Sequence, residues 1–127
     1  MTVSVLVVDD SGFFRKRLTE ILNASRDIKV VGTASNGREA VELAEKLKPD
    51  VITMDYEMPV MDGYQATREI REWEQSNGQQ PTPIIALTAN TMPNTESECI
   101  ASGMNDYLAK PIRKQSLQTT LGRWINV

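Results

Sequence analysis

Val3-Ser4-Val5-Leu6-Val7-Val8-Asp9-Asp10 is a short apolar run that stops on two carboxylates, and three later runs repeat the pattern. Val51-Ile52-Thr53-Met54 stops on Asp55, Ile84-Ile85-Ala86-Leu87 on Thr88, and Tyr107-Leu108-Ala109 on Lys110, which precedes Pro111. Short apolar runs separated by helix-length segments read as buried strands of a parallel sheet. All strands of such a sheet end on one edge, where open α/β folds keep their ligand sites. The order of the runs therefore gathers three carboxylates, a hydroxyl and an ammonium on that edge. Such a set suits a metal ion together with a phosphoryl group.

Helical patterns fill the intervals. Phe14, Leu18, Ile21 and Leu22 share one helix face, in a helix opening near Ser11-Gly12. Ile28 to Ala34, with Gly32 inside, reads as a further strand without a reactive end. Asn36-Gly37 starts a helix on Ala40, Leu43, Ala44 and Leu47 that Pro49 stops. Another follows the Pro59 loop on Ala66, Ile70 and Trp73, and Ser76 to Pro81 is a polar connector on the opposite edge. Asn94 to Ala101 is the weakest helical pattern, with Cys99, Ile100 and Ala101 available for burial and Gly103 as its stop. The last helix is expected to bury Leu117, Leu121, Trp124 and Ile125.

Five strands alternating with five helices predict a doubly wound (βα)5 α/β domain over residues 1–127, a three-layer sandwich around a parallel five-stranded sheet. The flavodoxin-like order 2-1-3-4-5 is one of two common solutions. It would set the first strand beside the third and bring Asp9 and Asp10 to Asp55.

A chain of 127 residues can bury roughly two-thirds of its unfolded surface. A formal charge of −3 offers no basic excess for nucleic acid or anionic membranes. The single cysteine, Cys99, fits a reducing compartment, and no basic leader or membrane-length apolar run is present, so a cytoplasmic location is expected. The absence of histidine removes the usual zinc sets and Ser-His-Asp chemistry.

Three clustered carboxylates repel, and a hard divalent cation relieves the conflict. Magnesium prefers one or two carboxylates, waters and a phosphate oxygen, which leaves an open site. Asp9-Asp10 could also serve as a helix cap, and Thr88 as an ordinary strand residue. Lys110, closing a buried run, must reach water or find an anion. A phosphoryl group would accept from both the ammonium and the hydroxyl.

Asp9-Asp10-Ser11, Asp55 with Met58-Pro59-Val60-Met61-Asp62-Gly63, Thr88-Ala89 and Lys110-Pro111 resemble, in order and spacing, the receiver domain of two-component response regulators. The resemblance implies a phosphorylation switch with Asp55 as acceptor. It implies magnesium held by Asp10, Asp55 and the Glu57 carbonyl, with Asp9 acting through a metal-bound water. Thr88 and Lys110 would contact the phosphoryl oxygens, Tyr107 would be the aromatic switch, and the Lys110-Pro111 peptide would be cis. The donor would be a histidine kinase or a histidine phosphotransfer protein. Slow self-dephosphorylation would reset the switch, at a rate tuned by Glu57 and Asn90; such a chain is a phosphoacceptor and not a turnover enzyme.

Rival readings are a phosphohydrolase with an aspartyl nucleophile, which Asp55-Tyr56-Glu57 mimics, and a receiver-like interaction module that takes no phosphate. Val5 to Gly63 is similar to receivers of chemotaxis methylesterases, and Tyr64 onward to receivers fused to hybrid sensor kinases, so a chimaera joined near Gly63 is one expectation. The chain reads as a stand-alone receiver or as part of a longer protein. Arg15, Lys16 and Arg17, with Phe13 beside them, read as a solvated basic face or as a docking patch for the donor.

Overall fold

The computed structural model describes residues 2–55, 58, 60–88, 95–110 and 112–125, leaving aside the side chains of Thr95 and Glu96. The apolar runs form β1 (Val3–Val8), β2 (Ile28–Ala34), β3 (Val51–Asp55), β4 (Ile84–Thr88) and β5 (Asp106–Ala109). Between and after them lie α1 (Gly12–Asn23), α2 (Gly37–Leu47), α3 (Gly63–Ser76), α4 (Thr95–Ser102) and α5 (Lys114–Trp124). The strands pair in parallel in the order β2-β1-β3-β4-β5, as the strand-end chemistry required.

Strand alternation sorts the core into two layers. Val5, Val7, Val51, Ile85 and Leu87 pack with Leu18 and Leu22 of α1 and Leu117 and Leu121 of α5. Leu6, Val8, Ile52, Met54, Ile84 and Ala86 face the other way, onto Ala40 and Ala44 of α2, Ala66 and Ile70 of α3 and Cys99 of α4. Tyr107 is half-buried against this second layer.

The starts of α1, α2 and α3 sit at the carboxyl edge of the strands, and polar residues cap them there. Ser11 Oγ accepts from the Phe14 amide at 3.2 Å, Asn36 Oδ1 from Glu39 at 2.9 Å and Asp62 Oδ1 from Gln65 at 2.8 Å. Met61 is tied to α2 at this edge: the Gly37 amide donates to the Met61 carbonyl at 3.0 Å. A Cβ on Gly37 would collide with that carbonyl, so glycine is required for the approach. In β2 the register steps between Val5/Val30 and Leu6/Gly32, leaving Val31 as the extra residue.

Two expectations need correction. Trp124 is 40% exposed, because Asp106 Oδ2 accepts its indole N–H at 3.0 Å and keeps that end of the ring at the surface. In α4, Cys99 is buried but Ile100 is 54% exposed and Ala101 faces solvent, so that helix holds on through Cys99 and Met104.

Candidate functional site

The site begins where β1 runs out. Asp9 continues the strand pairing, its amide donating to the Ala34 carbonyl at 3.0 Å, and the chain then turns into α1. That turn fixes the Asp9 side chain: Oδ1 accepts from the Ser11 amide at 2.9 Å. Its carbonyl accepts from Arg15 Nη1 at 2.7 Å. The Asp9 carboxylate is fully buried, Asp55 at the end of β3 is 5% exposed, and Asp10 is open to solvent. One carboxylate oxygen from each of Asp9, Asp10 and Asp55 lies within 4.8 Å of the others.

Lys110 crosses from the end of β5 to meet them. Its amide donates to the Thr88 carbonyl at 2.8 Å, which sets the strand end. Its ammonium lies 3.0 Å from Asp9 Oδ2 and 3.4 Å from Asp55 Oδ1, and 4.4 Å from the centroid of the Phe14 ring. Burial alone would depress the lysine, but Asp9 and Asp55 outweigh it and hold the ammonium above its ordinary value. Asp55 moves the other way. Burial first, then the Asp9 charge and a hydrogen bond with Asp10, push it up to about 7 against the opposing pull of Lys110.

Thr88 closes β4, 1% exposed, on the side of the sheet that Tyr107 shares. Strand ends therefore bring together Asp9, Asp10, Asp55 and Lys110, with Thr88 bonded to Lys110 through its carbonyl. Glu57, Asn90 and the Lys110-Pro111 peptide lie outside the described residues.

A cation fits this cluster. Asp9 Oδ2 is a buried oxygen with an ion-pair neighbour but no aligned hydrogen bond, and the raised Asp55 shows that one ammonium does not satisfy the carboxylates. All three candidate ligands are hard oxygens, the donor set of magnesium. Arg15 corrects the sequence reading: its guanidinium is committed to the Asp9 carbonyl, so the exposed basic side chains of α1 are Lys16 and Arg17. Phe14 at Lys110 was not legible either. Its helical spacing marked it as a core residue, and only the tertiary fold brings it to an ammonium at the far end of the chain.

A sequence model of the response regulator receiver domain matches residues 5–122. A protein-glutamate methylesterase/protein-glutamine glutaminase of Hahella chejuensis is 53% identical over 118 residues, which cover 91% of this chain and 29% of that protein. The chain thus spans under a third of the length of the methylesterase it matches. Among solved structures, the receiver domain of a sensor histidine kinase from Pseudomonas aeruginosa PAO1, with a magnesium ion coordinated in its active-site cleft, is 39% identical, with a TM-score of 0.86 and full coverage of both chains. The receiver domain of the Saccharomyces cerevisiae regulator Ssk1, crystallised with the histidine phosphotransfer protein Ypd1, is 32% identical over 97% of this chain and 88% of that one, with a TM-score of 0.89. Both the methylesterase and the kinase receiver align with this chain across Gly63.

Proposed function

The chain belongs to the response regulator receiver family, and from that premise we propose that residues 1–127 act as one phosphorylation switch with Asp55 as the acceptor. The observation that carries this reading is the cluster of Asp9, Asp10 and Asp55 within 4.8 Å, with the Lys110 ammonium upon it. The three carboxylates, with the Glu57 carbonyl that the resemblance adds, would hold a magnesium ion. Such an ion would supply charge neutralisation to the transferring group.

The remaining work falls to the chain's own residues. An Asp55 carboxylate oxygen attacks phosphorus, the P–N bond of a partner's phosphohistidine breaks, and the electron pair returns to the imidazole nitrogen. Lys110 and Thr88 offer an ammonium and a hydroxyl to the phosphoryl oxygens. The acyl phosphate carries about two negative charges at neutral pH where the Asp55 carboxylate carried one. Drawing Thr88 toward them moves the β4 end, and Tyr107, on the same side of the sheet, rotates with it. Water attack on phosphorus breaks the bond between it and the Asp55 oxygen, releasing inorganic phosphate and restoring the carboxylate. The altered α4–β5–α5 face is the output surface.

The donor is a histidine kinase or a histidine phosphotransfer protein that docks on Phe13, Lys16 and Arg17. Phe13 is 80% exposed one turn from the aspartates, and the Ssk1 relative was crystallised with such a protein. A cytoplasmic setting, with neither nucleic acid nor membrane as partner, accords with the acidic balance. Among the described residues no helix is long and apolar enough to cross a membrane.

Incubation with acetyl phosphate and magnesium, followed by intact mass, tests the reading. One phosphoryl group per chain is expected, with none after magnesium is chelated. An unmodified mass at saturating donor and magnesium would reject the switch.

A further inference from the structure

Phe13 and Phe14 are adjacent on α1 but meet different fates. Phe13 is 80% exposed, while Phe14 is half-buried with its ring face 4.4 Å from the Lys110 ammonium. One short turn builds both walls around that ammonium. The Ser11 amide holds Asp9 Oδ1, and the Ser11 hydroxyl accepts the Phe14 amide. The same turn thus fixes the Asp9 carboxylate on one side of Lys110 and the Phe14 ring on another. Lysine at a strand end has large rotamer freedom and ready access to water. Here its carboxylate contacts, at 3.0 and 3.4 Å, take only part of the ammonium, and the ring occupies a further part.

We propose that Phe14 is a positioning residue for phosphoryl transfer, holding the Lys110 ammonium over the carboxylates through its π face. This rests on the reading of Lys110 as a phosphoryl-binding residue. The attraction of a ring quadrupole for a cation is strong where water is kept away and does not demand one acceptor direction. Phe14 therefore keeps Lys110 at the strand edge while the ammonium shifts from carboxylate oxygens to phosphoryl oxygens. An aliphatic residue would fill the same half-buried space beside the core layer of α1 and α5 but would not attract the charge.

Acetyl phosphate labelling rates, measured with magnesium on the full chain, test this in a cycle of parent, Phe14→Leu, Lys110→Ala and the double variant. Phe14→Leu is expected to slow labelling about three- to ten-fold, the range of one cation–π contact at a partly buried site. Added to Lys110→Ala, it should slow labelling no further. Pentafluorophenylalanine in place of Phe14 keeps the shape and removes the attraction, so it should match Phe14→Leu. Equal losses in both backgrounds, or a fluorinated protein as fast as the parent, would overturn the proposal and leave Phe14 as core packing. A Lys110→Ala protein as fast as the parent would remove the reading of Lys110 itself, and this proposal with it.

Discussion

Burial and the adjacent Asp9 charge push Asp55 up to about 7, from an ordinary 3.8. Between those values the folded chain binds the proton more tightly than the unfolded one. This contribution to stability is complete below about 3.8 and is lost as pH rises through about 7. Asp55→Asn removes the charge and the proton together. In magnesium-free buffer at pH 8 we expect it to be more stable than the parent by on the order of 1–3 kcal/mol, with the gap closing toward pH 4. Urea unfolding at both pH values measures this, and a gap that is constant with pH would contradict it. Asp9, Asp10, Asp55, Thr88 and Lys110 were legible because each ends an apolar run, and strand ends of a parallel sheet must converge. Arg15 and Phe14 were not, because their partners are set by how α1 leans on the sheet, and helix periodicity does not encode that.

At the scale of elements, α3 carries a feature that periodicity missed. Glu74 is 4% exposed, accepting from Arg71 Nη1 at 2.8 Å through one oxygen and from the Thr82 amide at 2.8 Å through the other. Arg71 also donates from Nε and Nη2 to the Gly103 carbonyl at 3.0 and 2.9 Å, and to Asn105 Oδ1 at 2.9 Å. This network ties α3 to the end of α4 and to the start of β4 and β5, at the edge opposite the aspartates. Arg71→Met would leave Glu74 buried without its cation, at a cost of about 2–3 kcal/mol. Arg71→Met with Glu74→Met should recover at least half of that, read from denaturant midpoints; additive losses would show that the two do not act as a pair. The stripes of α1, α2 and α3 were legible because their apolar residues recur on one face. Glu74 was hidden by its type, since an acid in a polar helix end reads as solvated. Trp124 erred for the converse reason: its spacing fits the buried stripe, but its N–H follows Asp106 to the surface.

On the scale of the whole molecule, the proposed switch would separate chemistry at the sheet edge from recognition on α1, where Lys16 and Arg17 are exposed. Lys16→Glu reverses a charge on an exposed face and leaves the carboxylates and Lys110 in place. It should slow phosphotransfer from a histidine-containing protein donor several-fold at low salt, less at high salt, and leave acetyl phosphate labelling unchanged. Stopped-flow rates with both donors decide this; equal slowing of both would place the damage in the site. Strand order was readable because, of the two common orders, 2-1-3-4-5 brings Asp9 and Asp10 beside Asp55, a demand of the chemistry that hydrophobic pattern alone did not make. The most direct test of the account is where the phosphoryl group sits. Borohydride reduces an aspartyl phosphate to homoserine, and peptide mass spectrometry of the labelled, reduced chain locates the change. We predict homoserine at position 55 alone; reduction at Asp9 or Asp10, or a stable phosphate on a hydroxyl such as Thr88, would contradict it.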